Sequence, residues 1–329
     1  MFFAGIAQSV EHFTRNEGVV SSSLISGYGL LQVIFAAAFF FTYKPHKVHR
    51  RIVMAKYISK YGETEQPARS GLIEGCRHIA TLDASVHPGC PFNDAVWYTK
   101  EGKGTGLIKH ENDLLLMFIG SNFEDRDDLG AEVIYRIEND ILTLNKSCFV
   151  FIPAGKAHGL VEVRSLRRAF VSNICFYQTD VYEETPAEAH DPEGTYLKNV
   201  IEGYIPVQNK EMPPEGWWPT IWIDAKKLEG APYMEALWFG KEKFWGPETH
   251  THNFDEVLAF FSPDPDRPGD LPGEIHYDVN GETLKSVTSF YLFIPAGTPH
   301  SPIFVPRITH PVIHFSGGGH EEYELEYTK

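Results

Sequence analysis

The chain has 329 residues, of which 43% are hydrophobic and 22% are charged, and its formal net charge is -15. This composition is typical of a globular protein, and the length is sufficient for two domains of ordinary size. The acidic balance repels nucleic-acid phosphates and anionic lipid headgroups, so we expect neither a nucleic acid nor a membrane as partner. A small molecule is the expected partner.

Cysteine usage indicates a reducing compartment. The four cysteines are Cys76, Cys90, Cys148 and Cys175, and none of them form a CxxC pair. Neither a zinc ribbon nor a thioredoxin-like redox site is therefore indicated. Cys148 and Cys175 lie in apolar, strand-like runs and are predicted to be reduced core residues. This pattern fits a cytoplasmic protein.

Residues 1–53 differ in character from the rest of the chain. Residues 29–43 are apolar and are followed by four basic residues, but the run is shorter than the roughly twenty residues of a membrane span. An uncleaved anchor is the alternative that the basic flank leaves open. Residues 7–27 resemble the conceptual translation of a bacterial transfer-RNA gene. We therefore interpret residues 1–53 as a wrongly assigned or disordered extension and Met54 as the expected start.

The remainder of the chain contains an internal repeat. A shift of 141 positions aligns residues 89–101 with residues 230–242, and a shift of 142 then aligns FIPAG at 151–155 with FIPAG at 293–297. Such self-similarity predicts a duplicated domain. We place the first copy at residues 54–190 and the second at residues 191–329.

Both copies carry strand signals. Segments such as 131–137, 147–155 and 289–297 are short and rich in β-branched and aromatic residues, with Gly, Pro, Asp and Asn between them. Many short strands predict an all-β sandwich or barrel, and jelly rolls are among the solutions that protect strand edges. Residues 186–204 are the segment that we expect to be partly helical.

Four residues of the second copy have the spacing of metal ligands. His250 and His252 are two positions apart, so on a strand both side chains project from one face. Glu256 lies an even number of positions further on and can share that face, and His300 follows a Pro-Ala-Gly turn. Three imidazoles and one carboxylate suit Fe(II), Mn(II), Ni(II), Co(II) or Zn(II). We expect one divalent transition metal ion at this site.

The segments HTHNFDE at 250–256 and PAGTPH at 295–300 resemble the two signature motifs of the cupin superfamily, HxH-x3/4-E and PxGxxH. The resemblance extends from about residue 78 to the end, once per copy. It implies tandem jelly-roll β-barrels, or double-stranded β-helices, in a two-domain bicupin. It also implies that His250, His252, Glu256 and His300 hold a metal inside the C-terminal barrel.

The first copy departs from this pattern. The positions that correspond to the four ligands hold Ile108, His110, Leu114 and His158. Two ligands are replaced by aliphatic residues, and the only carboxylate is one of them. The sequence therefore predicts a degenerate N-terminal site without metal, in which His110 and His158 are either relics or hydrogen-bonded to each other.

Further polar and aromatic residues of the second copy are weaker candidates. His314 is a candidate catalytic acid or base. Glu235, Trp238 and His276 are candidate substrate-binding residues, although strand parity alone does not tell which of them face the barrel interior. The alternative is ordinary packing against the other sheet or the partner barrel.

The motifs specify the reaction only weakly, because cupins include dioxygenases, decarboxylases, isomerases, epimerases and non-catalytic proteins. We expect a metal-dependent enzyme acting on a small organic substrate, either a dioxygenase or a Lewis-acid isomerase or lyase. The alternative is a non-catalytic, metal-stabilised protein for binding or storage. No segment resembles the acid loop of oxalate-type bicupin decarboxylases. A homodimer is expected by analogy with other double-barrel chains.

Overall fold

The structure is a computed structural model and describes residues 57–204, 215–323 and 326–327. The predicted extension at residues 1–53 lies outside the described residues. Within these ranges the regular secondary structure is almost entirely β-strand, and the prediction of an all-β fold is confirmed. The same ranges contain no helix that is long and apolar enough to cross a bilayer.

The strands up to residue 190 alternate with short turns, and one 3₁₀ turn lies among them at Phe123–Asp125. These strands are β1 (Ile58–Lys60), β2 (Cys76–Leu82), β3 (Phe92–Tyr98), β4 (Gly102–Lys103), β5 (Ile108–Lys109), β6 (Leu114–Gly120), β7 (Asp128–Ile137), β8 (Asp140–Lys146), β9 (Cys148–Ile152), β10 (His158–Arg164), β11 (Phe170–Phe176) and β12 (Thr185–Pro186).

The strands after residue 190 follow nearly the same order of lengths. These strands are β13 (Val200–Glu202), β14 (Trp217–Ile223), β15 (Tyr233–Phe239), β16 (Phe244–Trp245), β17 (His250–Thr251), β18 (Glu256–Phe261), β19 (Asp270–Val279), β20 (Glu282–Thr288), β21 (Phe290–Ile294), β22 (His300–Ile308), β23 (Val312–Gly318) and β24 (Glu326–Tyr327). The segment expected to be partly helical contains one 3₁₀ turn, Leu197–Asn199, and ends in β13.

Four six-stranded sheets form two barrels. The N-terminal barrel combines the sheet β13-β9-β6-β11-β3-β2 with the sheet β12-β5-β10-β7-β8, in which β4 also pairs with β10. The C-terminal barrel combines β1-β21-β18-β23-β15-β14 with β20-β19-β22-β17-β24, in which β16 also pairs with β22. Corresponding strands therefore occupy corresponding places in the two barrels.

The first strand of each half lies in the sheet of the other half. Strand β1 pairs with β21 of the C-terminal barrel, with Ile58 opposite Leu292. Strand β13 pairs with β9 of the N-terminal barrel, with Val200 opposite Val150. Each exchanged strand covers a sheet edge that would otherwise expose backbone hydrogen-bonding groups. The two barrels are thus joined by reciprocal backbone pairing as well as by packing.

The largest apolar cluster lies between the barrels. It combines Trp97 and Phe149 from one half with Trp238, Phe261 and Phe315 from the other, all almost fully buried. Each barrel also has its own interior cluster. The strands of the two inner sheets are buried on both faces, which explains why they are apolar without interruption rather than alternating.

The cysteines follow the prediction made for them. Cys148 lies inside the N-terminal barrel, Cys175 lies between the barrels, and both are fully buried and free. Burial raises the pKa of Cys175 to about 12, because the charged thiolate is disfavoured away from water. Both thiols are therefore core groups and not nucleophiles.

Candidate metal centre

The β-sheet register brings the motif residues of the second copy together. His250 begins β17 and lies directly opposite His300, the first residue of β22. Glu256 begins the neighbouring strand β18. The PAG turn is fastened to the HxH segment, because the Gly297 amide donates to the His252 carbonyl over 2.8 Å. Gly297 has a φ of +74°, a conformation that favours glycine.

The four side chains converge in the barrel interior. One ring nitrogen from each of His250, His252 and His300 lies within 4.8 Å of the other two. Glu256 Oε2 lies 3.2 Å from His300 Nε2 and 3.7 Å from His252 Nε2. All four residues are at most 4% exposed. Residues that are far apart in the sequence therefore meet at one site that is almost inaccessible to water.

Hydrogen bonds fix the orientation of this cluster. The Nδ1 atoms of His250 and His300 lie 2.7 and 2.8 Å from the carbonyl oxygens of Glu248 and Thr298. Because a carbonyl oxygen can only accept, each Nδ1 carries a proton, and the Nε2 of each neutral ring presents a lone pair. The Ser316 hydroxyl donates to Glu256 Oε1 over 2.8 Å, which leaves Oε2 for the cluster.

Electrostatics favour a positive charge at this point. Burial by itself raises the pKa of Glu256, but His300, His252 and the Ser316 hydroxyl outweigh it and lower the pKa to about 2. Burial lowers the pKa of His300, but the Glu256 carboxylate outweighs it and raises the pKa. The pKa of His250 is lowered, chiefly because the ring is buried. The carboxylate is therefore ionised in a site with little water.

The donor set fits a metal ion. Neither Glu256 Oε2 nor His300 Nε2 makes a hydrogen bond, and both are buried. With the ring proton on Nδ1, two acceptors face each other at 3.2 Å, an arrangement that needs a cation or a proton between them. A divalent ion would satisfy both atoms together with the other two imidazoles.

Two of the weaker candidates lie in the interior of the same barrel. Glu235 is buried on β15 and is the direct cross-strand partner of Ser316. His314 is buried two residues before Ser316, and its Nδ1 donates to the Ala259 carbonyl over 2.7 Å. Its ring stacks on Phe260 with centroids 4.3 Å apart. Burial lowers the pKa of His314 to about 4, so the imidazole is neutral near pH 7.

The structure does not bring the other two candidates to the cluster. Trp238 belongs to the apolar cluster between the barrels, where its ring meets Phe123 edge to face with centroids 5.6 Å apart. His276 lies on the outer face of β19, because its neighbour Tyr277 faces the barrel interior. Its Nε2 is 2.7 Å from Glu274 Oε1. Because successive side chains of a strand point to opposite faces, Trp238 and His276 both point away from the barrel interior.

The N-terminal barrel repeats the backbone geometry with different side chains. Ile108 lies directly opposite His158, as His250 lies opposite His300. Leu114 is packed in the barrel interior. His110 Nδ1 donates to the Glu183 carbonyl over 2.6 Å, and His158 Nδ1 pairs with the Tyr135 hydroxyl over 2.8 Å. The Nδ1 atoms therefore do not form a hydrogen bond between the two imidazole rings.

The sequence interpretation missed Ser316, the residue that holds Glu256 in place. A signal existed, because the equivalent position of the first copy is the apolar Ile174. The hydroxyl is present in the copy with the intact ligand set and absent from the copy that lacks it. This difference indicates that Ser316 supports the ligands.

Comparisons with known proteins agree with this architecture. No protein-family model matches the chain, and no curated protein matches it. Among solved structures, it is similar to an oxalate decarboxylase studied for its substrate binding mode, with 11% identity, coverage of 82% of this chain and 79% of that chain, and a TM-score of 0.54. Oxalate decarboxylase from Bacillus subtilis at pH 4.6 matches with 11% identity, coverage of 82% and 78%, and a TM-score of 0.53.

Another structure of the Bacillus subtilis enzyme, studied for its Mn(II) centres, matches with 11% identity, coverage of 82% and 79%, and a TM-score of 0.51. At this level of identity the likeness concerns the fold. It extends over both barrels and agrees with the cupin motifs in the sequence. The chain therefore has the two-barrel cupin fold.

Proposed function

We propose that the protein is a metal-dependent bicupin enzyme that acts on a small organic substrate at the C-terminal barrel. His250, His252, Glu256 and His300 hold one divalent transition metal ion. One observation carries this proposal: the buried Glu256 Oε2 and His300 Nε2 face each other at 3.2 Å without a hydrogen bond, beside two further imidazoles. A structural role alone would not require four inward-facing polar groups at one point.

The ligand set defines a class of chemistry. A bound divalent ion would polarise a carbonyl or carboxylate as a Lewis acid or, if it is redox-active, activate O₂. Four protein ligands leave coordination positions for a substrate on a six-coordinate ion. Because the structurally similar Bacillus subtilis oxalate decarboxylase has Mn(II) centres, Mn(II) and carboxylic acids are the first metal and substrate class to test.

The surrounding residues supply orientation and a shielded pocket. Ser316 fixes the Glu256 carboxylate, and the backbone carbonyls of Glu248 and Thr298 fix two imidazoles. We assign substrate contact to Glu235, the interior neighbour of Ser316. His314 Nε2 is a proton acceptor in the same interior, although the lowered pKa of this ring makes it a weak base near pH 7.

A non-catalytic binding protein is the second candidate function. It is favoured by the burial of the four ligands, each at most 4% exposed, because a substrate then reaches the metal only after the barrel mouth opens. In that case the ion would serve to stabilise the barrel. Turnover of any substrate in proportion to metal content distinguishes the enzyme from this alternative.

The N-terminal barrel completes the proposal as a scaffold without metal. Ile108 and Leu114 occupy two ligand positions with apolar side chains that are packed in the interior. The equivalent cross-strand pairs in the two barrels support an internal duplication, with copies at residues 54–190 and 191–329. The cytoplasmic location and the homodimer stay predictions.

Metal analysis of the purified protein tests the site. We expect about one equivalent of transition metal in the wild type and none in His250→Ala. Ile108→Ala is the matched control, because it changes the same register position in the other barrel and should leave the metal content unchanged. Two equivalents in the wild type would contradict the metal-free N-terminal barrel, and retention of the metal in His250→Ala would contradict the ligand assignment.

A substrate screen tests the reaction class. Oxygen consumption over a panel of catechols, thiols and hydroxy acids distinguishes an oxygenase from a Lewis-acid enzyme. Carboxylic acids should be followed in parallel for the release of CO₂. Activity that persists in fully metal-free protein would exclude the proposed function.

A further inference from the structure

A small cavity lies inside the N-terminal barrel. Its volume is about 30 Å³, and Ile108, His110, Leu114 and His158 all belong to its lining. The four positions that correspond to the ligands of the other barrel therefore surround a space here. A second cavity of about 70 Å³ is also lined by His110. A space of this size accommodates a few water molecules or a ligand of a few heavy atoms.

Arg69 brings a buried positive charge to this cavity. Its side chain is only 4% exposed, and its Nε donates to Asp94 Oδ2 over 2.7 Å. Its Nη2 is also buried but makes no hydrogen bond. A buried cationic donor without an acceptor is costly, and a guanidinium presents two edges that can each bind an oxygen. Asp94 accepts from Nε of Arg69, and Nη2 is left as a donor without an acceptor.

The nearby carboxylates are already occupied. Asp94 accepts from the Thr81 hydroxyl over 2.8 Å and lies 3.3 Å from His78 Nε2. Glu184 accepts from both the backbone amide and the hydroxyl of Ser70, over 2.9 and 2.7 Å. These two carboxylates therefore do not satisfy Arg69 Nη2.

His158 presents a second polar atom without a partner. Its Nδ1 pairs with the Tyr135 hydroxyl, and its buried Nε2 makes no hydrogen bond. Burial lowers the pKa of His158 to about 3 and raises that of Tyr135, so the imidazole is neutral and the phenol keeps its proton. When the phenol donates to Nδ1, the ring proton lies on Nε2, which is then a donor.

From these positions we infer that the N-terminal barrel binds a small carboxylic acid as its carboxylate, with the oxygens accepting from Arg69 Nη2 and His158 Nε2. The apolar remainder of the ligand would contact Ile108 and Leu114. This site needs no metal ion. It is independent of the function proposed for the C-terminal barrel.

Ligand titrations test the site. We expect acetate to bind saturably at one site, and acetamide, which has the same shape without the charge, to bind at least 10-fold more weakly. The calorimetric titrations use His250→Ala, which lacks the proposed metal centre, because acetate would also bind the metal ion of the wild type. Equal affinity for acetamide, or the absence of saturable binding in His250→Ala, would overturn the inference.

Two variants locate the binding. Arg69→Gln should weaken acetate binding at least 10-fold, but it also leaves the buried Asp94 without its cation. Ser172→Leu therefore provides a second variant that fills the cavity, since Ser172 belongs to its lining. The corresponding residue of the other barrel is His314, which shows that this fold accommodates a larger side chain there. Both variants are made in His250→Ala, and acetate binding that survives Ser172→Leu in the folded double variant would overturn the inference.

Discussion

Ser316 donates a 2.8 Å hydrogen bond to Glu256 Oε1 from the neighbouring strand of the same sheet. Both residues are buried, and Glu256 Oε2 is directed at the histidine cluster. The bond therefore defines which carboxylate oxygen is left for a metal ion. A hydroxyl in this position contributes to metal affinity through the orientation of the ligand.

Ser316→Ala should weaken metal binding about 10- to 100-fold without abolishing it, because the carboxylate stays in place but loses its orientation. Chelator competition at fixed pH measures the affinity. Ser85→Ala, on the exposed surface, is the control and should have no effect. An affinity equal to that of the wild type would show that Ser316 does not position the ligand.

Glu256→Gln should remove the metal-dependent part of the stability. The amide preserves the size of the side chain but lacks the charge that raises the pKa of His300. Metal present at 100 times its dissociation constant stabilises a folded protein by about 2.7 kcal/mol. We therefore expect chelation by EDTA to lower the melting temperature of the wild type and to leave that of Glu256→Gln unchanged.

An equal response of the two proteins to EDTA would contradict this assignment. His276→Gln is a suitable control, since His276 lies on the outer face of β19 and contacts Glu274. It should behave as the wild type does.

The ligand set and the barrel fold could be predicted from the sequence because both depend on local spacing. His250 and His252 share a face through the two-residue strand period, and the repeat then identifies Ile108 and His158 as counterparts. The direction in which the Trp238 side chain points, into the barrel or toward the other barrel, could not be predicted in this way. A strand that is buried on both faces gives no alternating pattern, so parity does not tell the barrel interior from the interface between barrels.

Arg69 and the exchanged strands were missed for a different reason. Arg69 meets Asp94 across 25 positions and lies outside every motif. Strand β1 pairs with β21 at a distance of more than 200 residues, and three residues carry too little pattern to indicate that partner. Contacts of this kind depend on how the two barrels pack.

The buried histidine of the N-terminal barrel predicts a pH dependence of stability. The pKa of His158 is lowered by burial from 6.5 to about 3. Between these values the unfolded chain binds a proton that the folded chain does not, so stability falls as the pH falls below 6.5. Between pH 7 and pH 5 the wild type should lose about 2 kcal/mol more than His158→Gln.

Urea unfolding at several pH values measures this difference. The comparison with His158→Gln cancels the contribution of the carboxylates that both proteins share. Parallel pH profiles would contradict the prediction, as would a wild type that gains stability on acidification. In that case the imidazole would be protonated in the folded protein.

Because β1 pairs with the C-terminal barrel, its deletion should destabilise that barrel and not the N-terminal one. Deletion of residues 1–62 removes β1, which precedes the N-terminal barrel in the chain but pairs with β21 of the C-terminal barrel. The Phe293 amide donates to the Tyr57 carbonyl over 2.8 Å and would lose its partner. We expect faster hydrogen exchange in β21, and not in β2, because a sheet edge becomes exposed. Deletion of residues 1–53 is the control and should leave β21 protected, whereas faster exchange confined to β2 would show that β1 belongs to the N-terminal barrel in solution.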